Sequence, residues 1–279
     1  MKKSRARKVI RALMYGMWWV VKRTALLMYK IITTIFHFFV TQIRLRVTQI
    51  RKAQSAANHK SKQTSPAVHI PLKQVKTFKG ELSLFENRLH TNSMILLIAG
   101  RRGSGKSALG FRLLENIHAA TKRQCFALGP QQTVLPSWIS AVSTLQEAAN
   151  GSAILVDEAA ISFSSRESLQ KTNKQLSGLL AVARHKDISL IFVTQNTGMI
   201  DKNVLALCDA LLLKEGSLLQ ERFERPALKE VYTLATAALS QIPEESRESH
   251  FYVLEGAYEG LCSAYLPSFW SDAISKNQK

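Results

Sequence analysis

The chain has 279 residues, 46% of them apolar, enough to bury one large core with an appendage but too few for two tandem nucleotide-binding cores, which excludes a two-core helicase. Its net charge of +18 belongs to one end: residues 1–80 hold 18 Lys/Arg and no acid, whereas residues 81–279 hold 20 Lys/Arg against 20 Asp/Glu. Three cysteines, Cys125, Cys208 and Cys262, are odd in number and widely spaced, which argues against a disulfide framework or a zinc site and fits a reducing compartment.

Residues 1–64 contain no proline and a single glycine, Gly16, so nothing in the backbone forbids a long helix. Thr24–Ile43 has about the length that crosses a bilayer. Its ten Leu/Ile/Phe/Val residues favour insertion by about −3 to −6 kcal/mol, and Lys30 opposes it by up to about 2.5–3.5 kcal/mol. Arg23, Lys30, Thr34, His37, Thr41 and Arg44 recur at helical spacings and would line one face, the pattern of an amphipathic helix. Basic residues flank the segment on both sides, so the charge rule sets no single-span orientation, and an in-plane helix or a hairpin with Met14–Val21 avoids exporting the basic terminus. The apolar run is interrupted by Lys22, Arg23 and Lys30 and no small-residue cleavage site follows, so a secretory signal fits poorly. Three partners stay open for this region: a membrane or anionic lipid surface, another protein within an oligomer or capsid, and nucleic-acid phosphates.

Ala53–Pro71 is polar and rich in small residues, with Pro66 and Pro71 at its end, and reads as a linker. The expected organisation is a basic amphipathic or membrane-associated helical region over 1–52, a linker over 53–79 and a globular domain over 80–279.

The apolar run Met94–Ala99 leads into Gly100-Arg101-Arg102-Gly103-Ser104-Gly105-Lys106-Ser107, a full match to G-x-x-x-x-G-K-[ST] with the strand that the pattern requires before it. Small residues let successive backbone N–H groups curl around phosphates, and the following helix, expected over Lys106–Ala119, points its positive end at them. Gly100, Gly103, Ser104, Gly105, Lys106, Ser107 and Ala108 are therefore the candidate contacts to ATP. Lys106 would reach the β- and γ-phosphates, and the Ser107 hydroxyl would ligate Mg²⁺.

Gln124–Leu128 reads as a short strand and Thr144–Ala149 as a brief helix capped by Ser143. Ala153–Val156 followed by Asp157-Glu158 is the Walker B pattern, a buried parallel strand that delivers Asp157 to the Mg²⁺ shell. Glu158 adds a carboxylate able to polarise an attacking water, which hydrolysis needs and a small-molecule kinase does not. A helix over Leu169–Ala183 leads to a further buried strand ending on Gln195, where an amide can orient the lytic water or serve only as a turn residue. Asp201 would cap a short helix through Leu207, Asp209–Leu213 reads as a strand, and Pro226 opens a helix to Ser240. Phe251–Leu254 and Leu261–Leu266 read as a terminal hairpin. No N-K-x-D segment for guanine is present.

The phosphate loop, the LVDE strand end and the run ARHKDISLIFVTQ together resemble the HerA/FtsK superfamily of P-loop ATPases over about residues 92–215. That superfamily includes DNA-pumping motors, conjugative coupling proteins and viral genome-packaging ATPases, and zonula-occludens-toxin-like proteins are similar to it. The resemblance implies a three-layer α/β P-loop core with a mostly parallel sheet and an N-terminal helical segment. It also implies Glu158 as catalytic base, Gln195 as sensor, and Arg184 as an arginine finger acting in trans or a cap of the preceding helix. Asp187 and Asn196 depart from the Gly and Arg-Pro common in the FtsK and HerA branches, which leaves the viral branch more open. The implied partners are double-stranded DNA, a homo-oligomeric ring, hexameric by resemblance, and capsid or portal components. The implied location is the cytoplasmic face of a membrane, or a virion. The rival expectation is a membrane-anchored ATPase for filament assembly or protein secretion that handles no DNA.

Overall fold

The computed structural model describes residues 65–157, 169–195, 202–217 and 226–271, together with Met28, Thr197, Ile200 and Ile274. The expectations placed on the basic N-terminal region, on Glu158 and on Asp201 lie outside these residues, and of Thr24–Ile43 only Met28 is included. Among the described residues no helix is long and apolar enough to cross a membrane.

In chain order the first elements are β1 (Lys73–Gly80), α1 (Leu82–Thr91), β2 (Ile95–Ala99), α2 (Lys106–Thr121), β3 (Cys125–Leu128), β4 (Ile139–Val142) and β5 (Ala153–Asp157). They are followed by α3 (Leu169–His185), β6 (Ser189–Thr194), α4 (Lys202–Leu205), β7 (Ala210–Leu213), α5 (Pro226–Ser240), β8 (His250–Glu255) and β9 (Tyr258–Ser263). The strands form one nine-stranded sheet in the order β1-β9-β8-β7-β2-β6-β5-β3-β4. The six strands from β7 to β4 run parallel, and β8, β9 and β1 extend the sheet antiparallel at one side.

The period-2 geometry of a strand divides each apolar run between two cores. In β2, Leu96 and Ile98 enter the core that holds Leu113, Leu114 and Ile117 of α2, and Ile95, Leu97 and Ala99 enter the one that holds Leu180 of α3 and Leu239 of α5. Both faces of the parallel strands are thus covered, which is why they read as continuous apolar runs without alternation. The result is the expected three-layer α/β core. One contact sets how close α2 lies to the sheet: a Cβ on Gly110 would stand 2.6 Å from Leu155 Cδ1.

Three features depart from the sequence pattern. The helix expected over Thr144–Ala149 is a single 3-10 turn, Leu145–Glu147, and no side chain caps it. Glu147 instead reaches back, accepting bonds from Ser143 N at 3.5 Å and Thr144 Oγ1 at 3.1 Å, and the chain is already extended at Ala148. β1 occupies residues 73–80, all but the last within the stretch 53–79 that reads as linker, because an edge strand exposed along its whole length carries no apolar signature. The expected terminal hairpin forms, but its second strand is β9 (Tyr258–Ser263) in place of Leu261–Leu266, and it is part of the sheet: β8 pairs with β7 and β9 carries β1.

The chain before β1 and the chain after β9 are both held on α2 by buried polar groups. Glu115 accepts from Val68 N at 3.0 Å and from Ser268 N at 3.0 Å. Asn116 bonds both the N–H of Ile70, at 3.1 Å, and its carbonyl, at 2.7 Å. Arg112 donates to the carbonyls of Val68, Tyr265 and Leu266.

Candidate nucleotide site

Strand register brings the candidate residues to one edge of the sheet. Ala99 pairs with Thr194 and Asp157 with Val193, so Gly100, Gln195 and Asp157 leave β2, β6 and β5 at the same end. β6 lies between the strand that feeds the phosphate loop and the strand that carries Asp157. This edge is the carboxyl end of the parallel strands, where open α/β sheets bind ligands.

The loop turns through left-handed backbone at Gly103 (φ 79°) and Gly105 (φ 82°), and Gly105 is the residue before the first turn of α2. Glycine is needed at Gly105 twice over, since a Cβ would also stand 2.6 Å from the carbonyl oxygen of Glu248. Lys106 is 7% exposed and its Nζ donates to Arg101 O at 2.8 Å, so the ammonium is held against the loop itself. Ser107 Oγ donates to Asp157 Oδ2 at 3.5 Å. A hydroxyl and a carboxylate so placed are hard oxygen donors suited to Mg²⁺ with phosphate and water completing the shell, so the residues fit the ion.

A cleft of about 900 Å³ opens at this edge, lined by Gly103, Gly105, Lys106, Ser107, Ala108, Asp157 and Gln195. Gly100 and Ser104 stand behind its wall: a Cβ on Gly100 would lie 2.8 Å from Lys214 Cβ and 3.0 Å from Ser104 Oγ. Ser104 is 2% exposed. Arg184 is not brought to the cleft. It ends α3 just before β6 begins, at the opposite edge of the sheet, and its Nη2 donates to Leu207 O at 3.1 Å.

Three residues at this edge, Lys214, Glu215 and Arg247, were not singled out from the sequence. Lys214, directly after β7, is 3% exposed and donates to Glu248 O at 2.5 Å. Burial pushes its pKa down to about 7; Glu248 opposes that shift and Lys106 adds to it. Glu215 joins the phosphate loop to the 3-10 turn Glu244–Ser249, accepting from Arg101 at 3.0 and 2.7 Å and from Arg247 at 3.1 Å. Burial works to raise its pKa, but the two guanidinium groups win and the carboxyl titrates below its usual range. The available signal was position: a lysine at the carboxyl end of an apolar run neighbouring the loop strand.

None of the three cysteines is in a disulfide. Burial raises the Cys125 and Cys208 thiols to about 12 and that of Cys262 to about 11, so none supplies a thiolate at neutral pH.

A parallel sheet that presents a complete phosphate loop, an acid two strands away and a polar residue on the strand between defines a P-loop nucleotide-binding core. No protein-family model and no curated protein sequence matches the chain. Solved structures to which it is similar include the DNA-packaging ATPase B204 of Sulfolobus Turreted Icosahedral Virus, at 14% identity and a TM-score of 0.43, covering 62% of this chain and 98% of that one. The pCW3 conjugation coupling protein TcpA is similar at 13% identity and a TM-score of 0.44, over 79% of this chain and 73% of that one. The N-terminal domain of zonular occludens toxin from Neisseria meningitidis is similar at 18% identity and a TM-score of 0.30, over 44% and 77%.

Proposed function

We propose that this protein is an ATP-hydrolysing motor that translocates DNA, in its sharper form a packager of a viral or plasmid genome at or near a membrane. The observation that carries the hydrolytic part is the meeting of Ser107 and Asp157 at 3.5 Å on the same sheet edge as Lys106 and Gln195. Backbone N–H groups of the loop and Lys106 hold the phosphates, and Ser107 and Asp157 hold Mg²⁺, which neutralises charge on them. Glu158 takes the proton of the attacking water, and Gln195 orients that water or senses the γ-phosphate. Arg184, remote from the cleft of its own subunit, acts on the site of a neighbouring subunit in a homo-oligomeric ring. DNA enters the proposal through the resemblance and through the acid-free, 18-cation segment 1–80.

The test is steady-state ATPase activity of the purified full chain with and without double-stranded DNA, with Lys106→Ala as the blank. DNA-stimulated turnover that the blank lacks supports the proposal. Turnover indifferent to DNA, with no DNA binding by the full chain, overturns translocation and favours the membrane-anchored assembly or secretion ATPase.

A further inference from the structure

The phosphate cleft has a second buried cation that the loop motif does not include. Lys214 lines the cleft beside Gly105 and Lys106, and its Nζ lies 3.4 Å from where a Cβ of Gly105 would stand. Two lysines, Lys106 and Lys214, therefore line the cleft beside the loop. Each rests on a backbone carbonyl, Lys106 on Arg101 O and Lys214 on Glu248 O. An ammonium has three donors, and for a side chain 3% exposed a single carbonyl with the Phe251 ring 5.9 Å away is a poor substitute for water.

The carbonyl that Lys214 holds also belongs to the element pressed on the loop. Glu248 closes the turn Glu244–Ser249, which leads straight into β8, and its oxygen occupies the space a Cβ on Gly105 would need. Glu215, the next residue after Lys214, ties Arg101 of the loop to Arg247 of the same turn. Lys214 and Glu215 thus form the junction between phosphate loop and turn.

We propose that Lys214 is a second phosphate-binding cation, which exchanges the Glu248 carbonyl for a nucleotide phosphate oxygen and so reports occupancy of the site to the turn Glu244–Ser249. The inference rests on the nucleotide reading of the cleft and adds to it a ligand group and a route by which binding changes the surface around β8. A phosphate oxygen would add to what the Lys214 ammonium has, a single carbonyl oxygen with the Glu248 carboxylate as the acid that favours its charge, while Glu215 is engaged by two arginines. The groups that face the ammonium are Lys106 from α2, Glu248 from the turn and the Phe251 ring from β8. Burial, which pushes the Lys214 pKa down to about 7, disfavours the charged form, and a phosphate oxygen beside it would offset that cost.

The experiment measures binding of a fluorescent ATP analogue to the full chain, in wild type, Lys106→Ala, Lys214→Met and Lys214→Arg. Loss of one charged hydrogen bond predicts about 10- to 100-fold weaker binding for Lys214→Met, with partial recovery in Lys214→Arg. Hydrogen exchange at the amides of 244–249 should change when nucleotide is added to wild type and stay unchanged in Lys214→Met at saturation. A measurement on wild type alone stands beside these: calorimetric titration at about pH 8 in two buffers of different ionisation enthalpy should show proton uptake on binding. If Lys214→Met binds as wild type does, or wild type takes up no proton, the second-cation role is overturned while the nucleotide reading survives. If wild type binds no nucleotide, both fall together.

Discussion

Arg112 and Glu115, three residues apart on α2, are ion-paired at 2.9 Å with side chains 1% and 0% exposed. Between them they take up six backbone or hydroxyl groups of the segments that enter and leave the sheet, on Val68, Tyr265, Leu266 and Ser268. The helix that begins at the phosphate loop is thereby the peg on which both ends of the described core are tied. Removing one partner leaves a buried charge and several unpaired backbone groups. Arg112→Ala and Glu115→Ala are each expected to cost about 3–5 kcal/mol of stability. Chemical denaturation of the full chain measures it, and a loss under about 1 kcal/mol in either variant would show that the pair is not holding these segments.

Gly110 tests how closely α2 must approach the sheet. Its added Cβ would stand 2.6 Å from Leu155 Cδ1, and 3.4 Å from Val193 Cγ2, on the two strands that carry Asp157 and Gln195. The helix gains propensity from Gly110→Ala, by about 1 kcal/mol, but overpacking costs about 1–3 kcal/mol. Gly110→Val adds two more methyl groups and is expected to lower Tm well below that of the alanine variant. Equal melting temperatures for the two would mean that α2 moves away without cost.

The parallel core was legible because its strands are buried on both faces: 95–99, 153–156 and 190–193 are unbroken apolar runs that lead into Gly100, Asp157 and Gln195. Helix α5 was legible at both ends, since Pro226 and the apolar period mark it. β1 was not, because every residue in it is exposed, and α1 was passed over although Leu82, Phe85 and Leu89 carry a helical spacing. At the site, motif spacing found the groups that follow the loop in fixed order, Lys106, Ser107 and Asp157. It missed Lys214, Glu215 and Arg247, because their partners are backbone carbonyls and charges brought together only by the order of β7, β2 and β8.

The residues at the cleft separate binding from hydrolysis. Lys106→Ala is expected to abolish ATP binding at concentrations that saturate wild type. Asp157→Asn and Ser107→Ala are expected to remove the Mg²⁺ dependence of binding, since each deletes one of the two oxygens that meet at 3.5 Å. Glu158→Gln should bind ATP as wild type does and turn over about 10²- to 10⁴-fold more slowly. Equilibrium binding with and without Mg²⁺, beside steady-state turnover, distinguishes the three. A Glu158→Gln enzyme with full turnover would remove Glu158 from the base role.

The buried ammonium of Lys214 makes a prediction about pH that needs no nucleotide. Its pKa is lowered from 10.5 to about 7 in the folded protein, chiefly by burial, so between those values the unfolded chain binds the proton more tightly than the native one. Stability with respect to this group therefore rises with pH across that window, and below about 7 its full destabilising contribution is present. Lys214→Met has no proton to bind and keeps a chain of similar length in the same space, so it should lack this slope and be more stable than wild type at neutral pH. Urea denaturation of both proteins at a series of pH values from 7 upward reads the difference. Parallel curves would mean that the ammonium is better solvated than its burial implies, and would also weaken the case that an anion is what the second cation beside Gly105 awaits.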